Sequence, residues 1–141
     1  MAALVLFGGG GDLAIRMLLP SLYFLEHDGL LPEGLKIIAA ARSEESRDSY
    51  LARVRESIVK RADGHWSDDS FARVAERIDY VAVDATSAEG LSALKDKLGD
   101  DRELTYFLAV SPSLYGPIVR ALKAAGLTGP QARIVLEKPV G

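Results

Sequence analysis

The chain of 141 residues contains no cysteine, which excludes disulfides and metal sites built from thiolates. Histidine is scarce as well: His27 and His65 are the only two, and both stand among polar neighbours far apart in the sequence. We expect both side chains at the surface, because an isolated histidine in polar surroundings is seldom a ligand or a base. The sequence therefore predicts neither a metal site nor a catalytic histidine.

Long apolar runs and an excess of positive charge are also missing. No apolar stretch approaches the roughly 20 residues that cross a bilayer, and the N-terminus "MAALVLF" lacks the basic segment and cleavage site of a secretory signal. The formal net charge is −3 at pH 7, which offers no basic surface for nucleic acid. We therefore expect a cytoplasmic protein of one domain that binds neither membranes nor nucleic acid.

The chain does contain a regular alternation of apolar strands and amphipathic helices. Helical periodicity fills the intervals between five apolar segments, with two helices between the second and third. The five segments are residues 3–7, 36–41, 79–84, 104–110 and 133–137. The order β-α-β-α-α-β-α-β-α-β predicts an α/β fold, a doubly wound, Rossmann-like and mostly parallel sheet with helices on both faces.

Several single residues predict where the helices begin, bend and end. Ser67 and Ser87 are suited to accept backbone N–H groups at helix N-termini. Pro20 lies inside the first helix, and because it has no N–H group we expect a kink there. Gly29 and Gly126 follow helical segments and are natural stops.

Four consecutive glycines, residues 8–11, join the first strand to the first helix and are called the glycine loop below. Glycine is the costliest residue to order, so the run needs a reason. In a doubly wound sheet this turn meets the ligand, where backbone and helix-terminal amides hold a phosphate that a Cβ would keep away. Two forms of the dinucleotide fingerprint fit, Gly9-x-Gly11-x-x-Ala14 and Gly8-x-x-Gly11-x-x-Ala14. A tight turn without a ligand is the alternative.

The end of the second strand indicates which dinucleotide is bound. NAD-binding domains place a carboxylate here for the ribose 2′-hydroxyl, but this sequence has Arg42 and Ser43 in "AARS". A guanidinium forms paired, charge-assisted hydrogen bonds with a 2′-phosphate. These residues therefore favour NADP, the alternative being that Arg42 is a surface arginine beginning a helix.

Residues at the ends of the third and fourth strands are less specific. Asp84 is either a neighbour of the adenine half of the cofactor or a turn residue before the next helix. Ser111 and Pro112 end the fourth strand, where the second half of a dinucleotide would pass. Pro112 also suits the first turn of a helix.

Five separated motifs together resemble the glucose-6-phosphate dehydrogenase family. They occur in the family's order and spacing along the whole chain, and two of them, Gly-Asp-Leu-Ala and Glu-Lys-Pro-x-Gly, are specific. The motifs are "FGGGGDLAIRMLLPSLY" at 7–23, "DGLLPE" at 28–33, "AARS" at 40–43, "FLAVSPSLY" at 107–115 and "EKPVG" at 137–141.

The resemblance implies a function and a set of site residues. Enzymes of this family oxidise C1 of glucose 6-phosphate to a lactone in the pentose phosphate pathway and pass the hydride to NADP. Lys138 matches the family lysine that touches both cofactor and sugar, and Pro139 is the proline that orients it. Arg42 would carry the 2′-phosphate, to which Ser43 can add a hydroxyl donor, and Asp84 and Ala85 correspond to a position near the cofactor. The residues implied for the pyrophosphate are Gly8, Gly9, Gly10, Gly11, Asp12, Leu13 and Ala14.

The same resemblance implies that residues 1–141 are the NADP-binding Rossmann domain and that the catalytic α+β domain is absent from this chain. In the family the catalytic base is a histidine held by an aspartate in that second domain. We therefore expect no catalytic residue here, glucose 6-phosphate as a partner only together with the missing domain, and a homo-oligomer for the full-length protein. The alternatives are a stand-alone module that senses NADP(H) without catalysis and another reductase with the same glycine turn.

Overall fold

Five parallel strands form one sheet in the computed structural model, which describes residues 2–136. All pairings between these strands are parallel, and their order is β3-β2-β1-β4-β5. The strands are β1 (Ala2–Phe7), β2 (Lys36–Ala41), β3 (Ile78–Ala82), β4 (Glu103–Leu108) and β5 (Ala132–Leu136). This arrangement confirms the predicted doubly wound α/β fold and places the chain reversal between β1 and β4.

Helices cover both faces of the sheet, in the predicted order. One buried cluster packs α1, α2 and α3 against the sheet, and a second packs α4 and α5 against the opposite face. The helices are α1 (Leu19–His27), α2 (Arg47–Ala62), α3 (Asp68–Arg77), α4 (Ser92–Leu98) and α5 (Tyr115–Ala124). Short 3₁₀ turns, Glu89–Leu91 and Pro112–Leu114, lead into α4 and α5. Helices therefore cover both faces of β1 and β2, which explains why these two strands lack an alternating pattern, whereas the edge strand β5 is largely exposed.

The first helix differs from the prediction at Pro20. Instead of a kink within one α-helix, a π-helical turn (Ala14–Leu18) precedes α1, and the Leu19 N–H group donates to the Ala14 carbonyl oxygen five residues back. Pro20 then lies in the first turn of α1, where its missing N–H group costs little. The wider turn thus absorbs the irregularity that the proline imposes.

The predicted helix ends are confirmed with one shift. Ser67 Oγ accepts the Ser70 N–H group at 3.2 Å at the start of α3. Ser87 Oγ accepts a backbone N–H group at 2.9 Å, but in the 3₁₀ turn before α4 rather than in the helix itself. Gly29 and Gly126 follow α1 and α5 with φ angles of 71° and 76°, the left-handed conformation that favours glycine.

β3 and β4 end two residues earlier than the sequence predicts. The next N–H group of each still bonds to β1 or β2, Val83 to the Ala41 oxygen at 2.8 Å and Ala109 to the Phe7 oxygen at 2.9 Å. Beyond these bonds the backbone leaves the sheet. The early ends open a crevice at the carboxyl edge, which hydrophobicity alone does not reveal.

Both histidines are exposed, as expected, and His27 Nδ1 lies 2.8 Å from Ser70 Oγ. Within residues 2–136, no three metal-ligating side chains are grouped so that they could hold an ion. No helix of this described part has the length and apolar character needed to cross a membrane.

Candidate nucleotide-binding site

A cavity of about 350 Å³ lies at the carboxyl edge of the sheet, where β1, β2, β3 and β4 end. Ligands of doubly wound sheets bind in this crevice, beside the point where the strand order reverses. Its walls combine apolar side chains such as Phe7 and Ile118 with a few polar groups. The predicted site residues that line it are Gly8, Gly10, Gly11, Arg42, Ser43, Asp84 and Ala85.

Two glycines of the glycine loop are required by the fold itself. Gly8 has a φ angle of 77°, and a Cβ built on it would overlap the carbonyl oxygen of Ala109. Gly9 lies against β2, so that a Cβ there would come within 2.7 Å of the Ala39 Cβ. Both positions exclude any larger residue, because the neighbouring strands cannot move apart without breaking the sheet.

The other two glycines are less constrained by the protein. A Cβ on Gly10 would lie 3.3 Å from Arg53 Nη2, and one on Gly11 would lie 3.3 Å from the Gly8 oxygen. Neither φ angle is positive. The protein therefore constrains positions 10 and 11 less severely than positions 8 and 9, and the bare backbone of Gly10 and Gly11 lines the cavity.

Not every N–H group of the glycine loop is free to bind a phosphate, because some of them already have acceptors within the protein. Gly8 and Gly9 both donate to the Ala40 oxygen, at 2.9 and 3.2 Å, and Gly11 donates to the Gly8 oxygen at 2.9 Å. The first amides of a helix have no acceptor within it. Within the segment 8–14, the N–H groups of Gly10, Asp12, Leu13 and Ala14 have no hydrogen-bond acceptor among the described residues.

Two side chains of α2, which sequence reasoning did not assign to the site, hold the glycine loop from outside. The buried Tyr50 hydroxyl donates to the Gly9 oxygen at 2.7 Å, and Arg53 Nη1 donates to the Gly10 oxygen at 3.1 Å. The spacing of i and i+3 places both on one face of α2. The helical pattern does place Tyr50 on the buried face, but the contact with the loop depends on how α2 packs.

Arg53 is itself fixed by Glu45. Its Nε and Nη2 atoms lie 3.0 and 2.6 Å from the two Glu45 carboxylate oxygens. The hydrogen bonds from Arg53 lower the pKa of Glu45, and the same bonds raise the pKa of Arg53. Arg53 therefore connects Glu45 with the Gly10 oxygen, and its side chain also lines the cavity.

The segment between β2 and α2, residues 42–46, is called the β2–α2 loop. Arg42 is exposed at the cavity and makes no hydrogen bond within residues 2–136. Ser43 lies beside it, and its carbonyl oxygen accepts the Tyr80 hydroxyl at 2.5 Å. The Arg42 guanidinium is thus available to an anion in the cavity.

Of the two roles that the sequence left open for Asp84, the structure shows the turn. Its Oδ1 atom accepts the Thr86 N–H group at 3.0 Å and the Thr86 hydroxyl at 2.6 Å, so it is a turn residue. It also lines the cavity. The hydrogen bonds from Thr86, with a smaller contribution from the charge of Arg42, lower the pKa of Asp84.

Of the other residues that the sequence singles out, Ser111 and Pro112 lie within the described part of the chain, and Lys138 and Pro139 do not. Pro112 begins the 3₁₀ turn before α5, as its position after the fourth strand predicts. Ser111 Oγ lies 3.2 Å from Ser113 Oγ.

The chain is similar to known dehydrogenases over its whole length. A sequence model described as "Glucose-6-phosphate dehydrogenase, NAD binding domain" matches residues 5–141. The glucose-6-phosphate 1-dehydrogenase of Zymomonas mobilis is 37% identical and aligns with 100% of this chain, and that of Gluconobacter oxydans is 39% identical and aligns with 97%. These alignments span 30% and 29% of the two relatives.

Solved structures agree with the sequence matches. Glucose-6-phosphate 1-dehydrogenase from Mycobacterium avium superposes with a TM-score of 0.89 at 38% identity, over 99% of this chain and 30% of that protein. A glucose-6-phosphate dehydrogenase in complex with its substrate glucose-6-phosphate gives a TM-score of 0.86 at 27% identity, over 99% and 31%. This chain thus spans about 30% of the relatives it matches. Together these matches confirm the resemblance, and the chain belongs to the NAD-binding-domain family of the glucose-6-phosphate dehydrogenases.

Proposed function

We propose that this chain is the NADP-binding domain of a glucose-6-phosphate dehydrogenase. The observation that carries the choice of NADP is the Arg42 guanidinium, which lines the cavity without a hydrogen bond of its own. It stands with Ser43 at the end of β2, where NAD-binding domains have a carboxylate. A 2′-phosphate bound there gains charge-assisted hydrogen bonds that the 2′-hydroxyl of NAD cannot form.

The pyrophosphate is assigned to the glycine loop and the first helical turn. The N–H groups of Gly10, Asp12 and Leu13 supply donors at the positive end of the helix dipole. Asp84 and Ala85 form the wall beside the adenosine half. Gly8, Gly9, Gly11 and Ala14 shape the turn, and Lys138 and Pro139 complete the proposed set.

In this proposal, catalysis requires a longer protein that contains these residues. Residues 1–141 hold the cofactor, and the base that takes the C1 hydroxyl proton of glucose 6-phosphate comes from a second domain, since neither histidine here lines the cavity. Lys138 contributes contacts to both sugar phosphate and cofactor. The longer enzyme would be a cytoplasmic homo-oligomer of the pentose phosphate pathway.

Calorimetric titration of the purified chain with NADP and NAD tests the cofactor assignment. We expect one site per chain and NADP binding tighter by about 10- to 150-fold, the worth of a charge-assisted hydrogen bond of about 1.5–3 kcal/mol. Equal affinities would refute the role of Arg42. Failure to bind either dinucleotide would refute the function as a whole.

A second assay tests whether this chain can catalyse the reaction without a second domain. The purified chain with NADP and glucose 6-phosphate is expected to form no NADPH above the rate of the solution without protein. The reason is that hydride transfer needs a base within hydrogen-bond reach of the C1 hydroxyl. NADPH formation that copurifies with the chain through successive columns would show that the catalytic group lies within residues 1–141.

A further inference from the structure

Two tyrosines hold the two loops that form the proposed cofactor site. Tyr50 on α2 donates its hydroxyl to the Gly9 oxygen at 2.7 Å, and Tyr80 on β3 donates its hydroxyl to the Ser43 oxygen at 2.5 Å. Gly9 belongs to the glycine loop, and Ser43 belongs to the β2–α2 loop. Each tyrosine thus fixes the backbone of a different loop, one for the pyrophosphate and one for the 2′-phosphate.

The tyrosine pair is buried and in mutual contact. The exposed fractions of Tyr50 and Tyr80 are 0% and 7%, and their ring centroids lie 5.0 Å apart. Burial raises the pKa of both hydroxyls, so both remain protonated donors at neutral pH. A buried hydroxyl needs a partner, and here both partners are main-chain oxygens of ligand-facing loops.

A second connection joins the same two loops. Glu45, two residues after Ser43, binds Arg53, and Arg53 donates to the Gly10 oxygen. The Arg53 guanidinium carbon also lies 5.7 Å from the centroid of the Tyr50 ring. The cluster therefore connects the glycine loop and the β2–α2 loop through main-chain oxygens, and two of its side chains, Arg53 and Tyr80, also line the cavity.

We propose that Tyr50 and Tyr80 are positioning residues that act on separate halves of the dinucleotide, Tyr50 on the pyrophosphate through Gly9 and Tyr80 on the 2′-phosphate through Ser43. This inference rests on the proposed function and adds to it a division that the phosphate-contacting residues alone do not reveal. It differs from a purely structural role, in which each hydroxyl only stabilises the core and removing it weakens all ligands equally.

Tyr106 provides the matched control. Its hydroxyl, on β4, donates to the Leu127 oxygen at 2.7 Å, and its side chain is 0% exposed. Tyr106 belongs to the other buried cluster and does not line the cavity. Tyr106→Phe therefore removes the same kind of buried hydrogen bond at a place that faces no ligand.

The experiment is a calorimetric titration of Tyr50→Phe, Tyr80→Phe and Tyr106→Phe with three probes: NADP, NAD and adenosine 2′-monophosphate. Tyr50→Phe is expected to weaken NADP and NAD by about fivefold, the worth of one net hydrogen bond, and to leave adenosine 2′-monophosphate unchanged. Tyr80→Phe is expected to weaken NADP and adenosine 2′-monophosphate similarly and to leave NAD unchanged. Tyr106→Phe is expected to lower the melting temperature without changing any of the three affinities.

If Tyr50→Phe does not fold, Tyr80→Phe alone still tests the division, because it should spare NAD. Arg53→Lys adds a contrast: it replaces a partly exposed side chain and keeps the charge, but lysine cannot bind Glu45 through two nitrogens and also reach the Gly10 oxygen. Because Arg53 contacts both loops, this variant is expected to weaken all three probes, whereas each tyrosine variant spares one of them. Equal losses on all three probes in a tyrosine variant, or no losses, would overturn the inference while NADP binding by the unaltered chain keeps the proposed function. Failure of the unaltered chain to bind any probe would overturn both.

Discussion

Replacing Gly8 by alanine is expected to lower the free energy of unfolding by about 3 kcal/mol, because alanine is strained in a left-handed conformation and its Cβ overpacks the site. The same variant is expected to abolish dinucleotide binding. The φ angle of Gly8 is 77°, and the new Cβ would overlap the Ala109 oxygen and lie 2.9 Å from Val110 Cγ1. The backbone cannot shift to relieve these contacts, because the Gly8 N–H group donates to the Ala40 oxygen and the Ala109 N–H group donates to the Phe7 oxygen. Urea denaturation measures the stability, and titration with NADP measures the binding.

Gly29→Ala separates the two parts of this effect. Gly29 has a φ angle of 71°, but a Cβ there would have nothing within 4 Å. It is expected to cost about 1 kcal/mol, the penalty of the left-handed conformation alone, with no change in NADP affinity. If both variants lost the same stability, the contact with Ala109 would be irrelevant and the strain would lie only in the backbone.

The sequence was sufficient to predict the fold because its signals are local. Apolar runs separated by segments of helical periodicity predicted all five strands, and the switch to helical spacing after the glycine loop predicted the first crossover. Parallel order follows from alternation, since a helix between two strands returns the chain to the same edge. Pro20 illustrates the limit: the missing N–H group was evident, but the π-helical form of the response depends on packing.

The candidate site was predictable only where a residue type alone implies its chemistry. The glycine loop and Arg42 meet that condition. The hydrogen bonds of Gly8 and Gly9 could not be predicted in this way. Their acceptor is the Ala40 oxygen, which comes near only because β1 pairs with β2. The Tyr50 hydroxyl likewise contacts the Gly9 oxygen only because α2 packs over the loop, which no local pattern predicts.

Replacing Arg42 by alanine is expected to weaken NADP by about 10- to 150-fold, corresponding to about 1.5–3 kcal/mol for a charge-assisted hydrogen bond, and to change NAD by less than about twofold. The guanidinium has no other hydrogen bond to lose within residues 2–136, so the effect on stability should be small. Its removal also leaves the Asp84 carboxylate without the neighbouring positive charge, which makes the cavity less favourable to a 2′-phosphate. Titration with both dinucleotides measures the ratio of affinities.

Arg102→Ala is the control for net charge. Arg102 is exposed just before β4, at the opposite edge of the sheet from the cavity, and its removal changes the total charge by the same amount. It is expected to leave both affinities unchanged at physiological salt, because screening limits charge interactions across that distance. A loss of NADP affinity in Arg102→Ala equal to that in Arg42→Ala would mean that overall charge attracts the cofactor. A loss of NAD affinity in Arg42→Ala as large as that of NADP would mean that Arg42 reads some part that both dinucleotides share, and the assignment of the 2′-phosphate to Arg42 would be wrong.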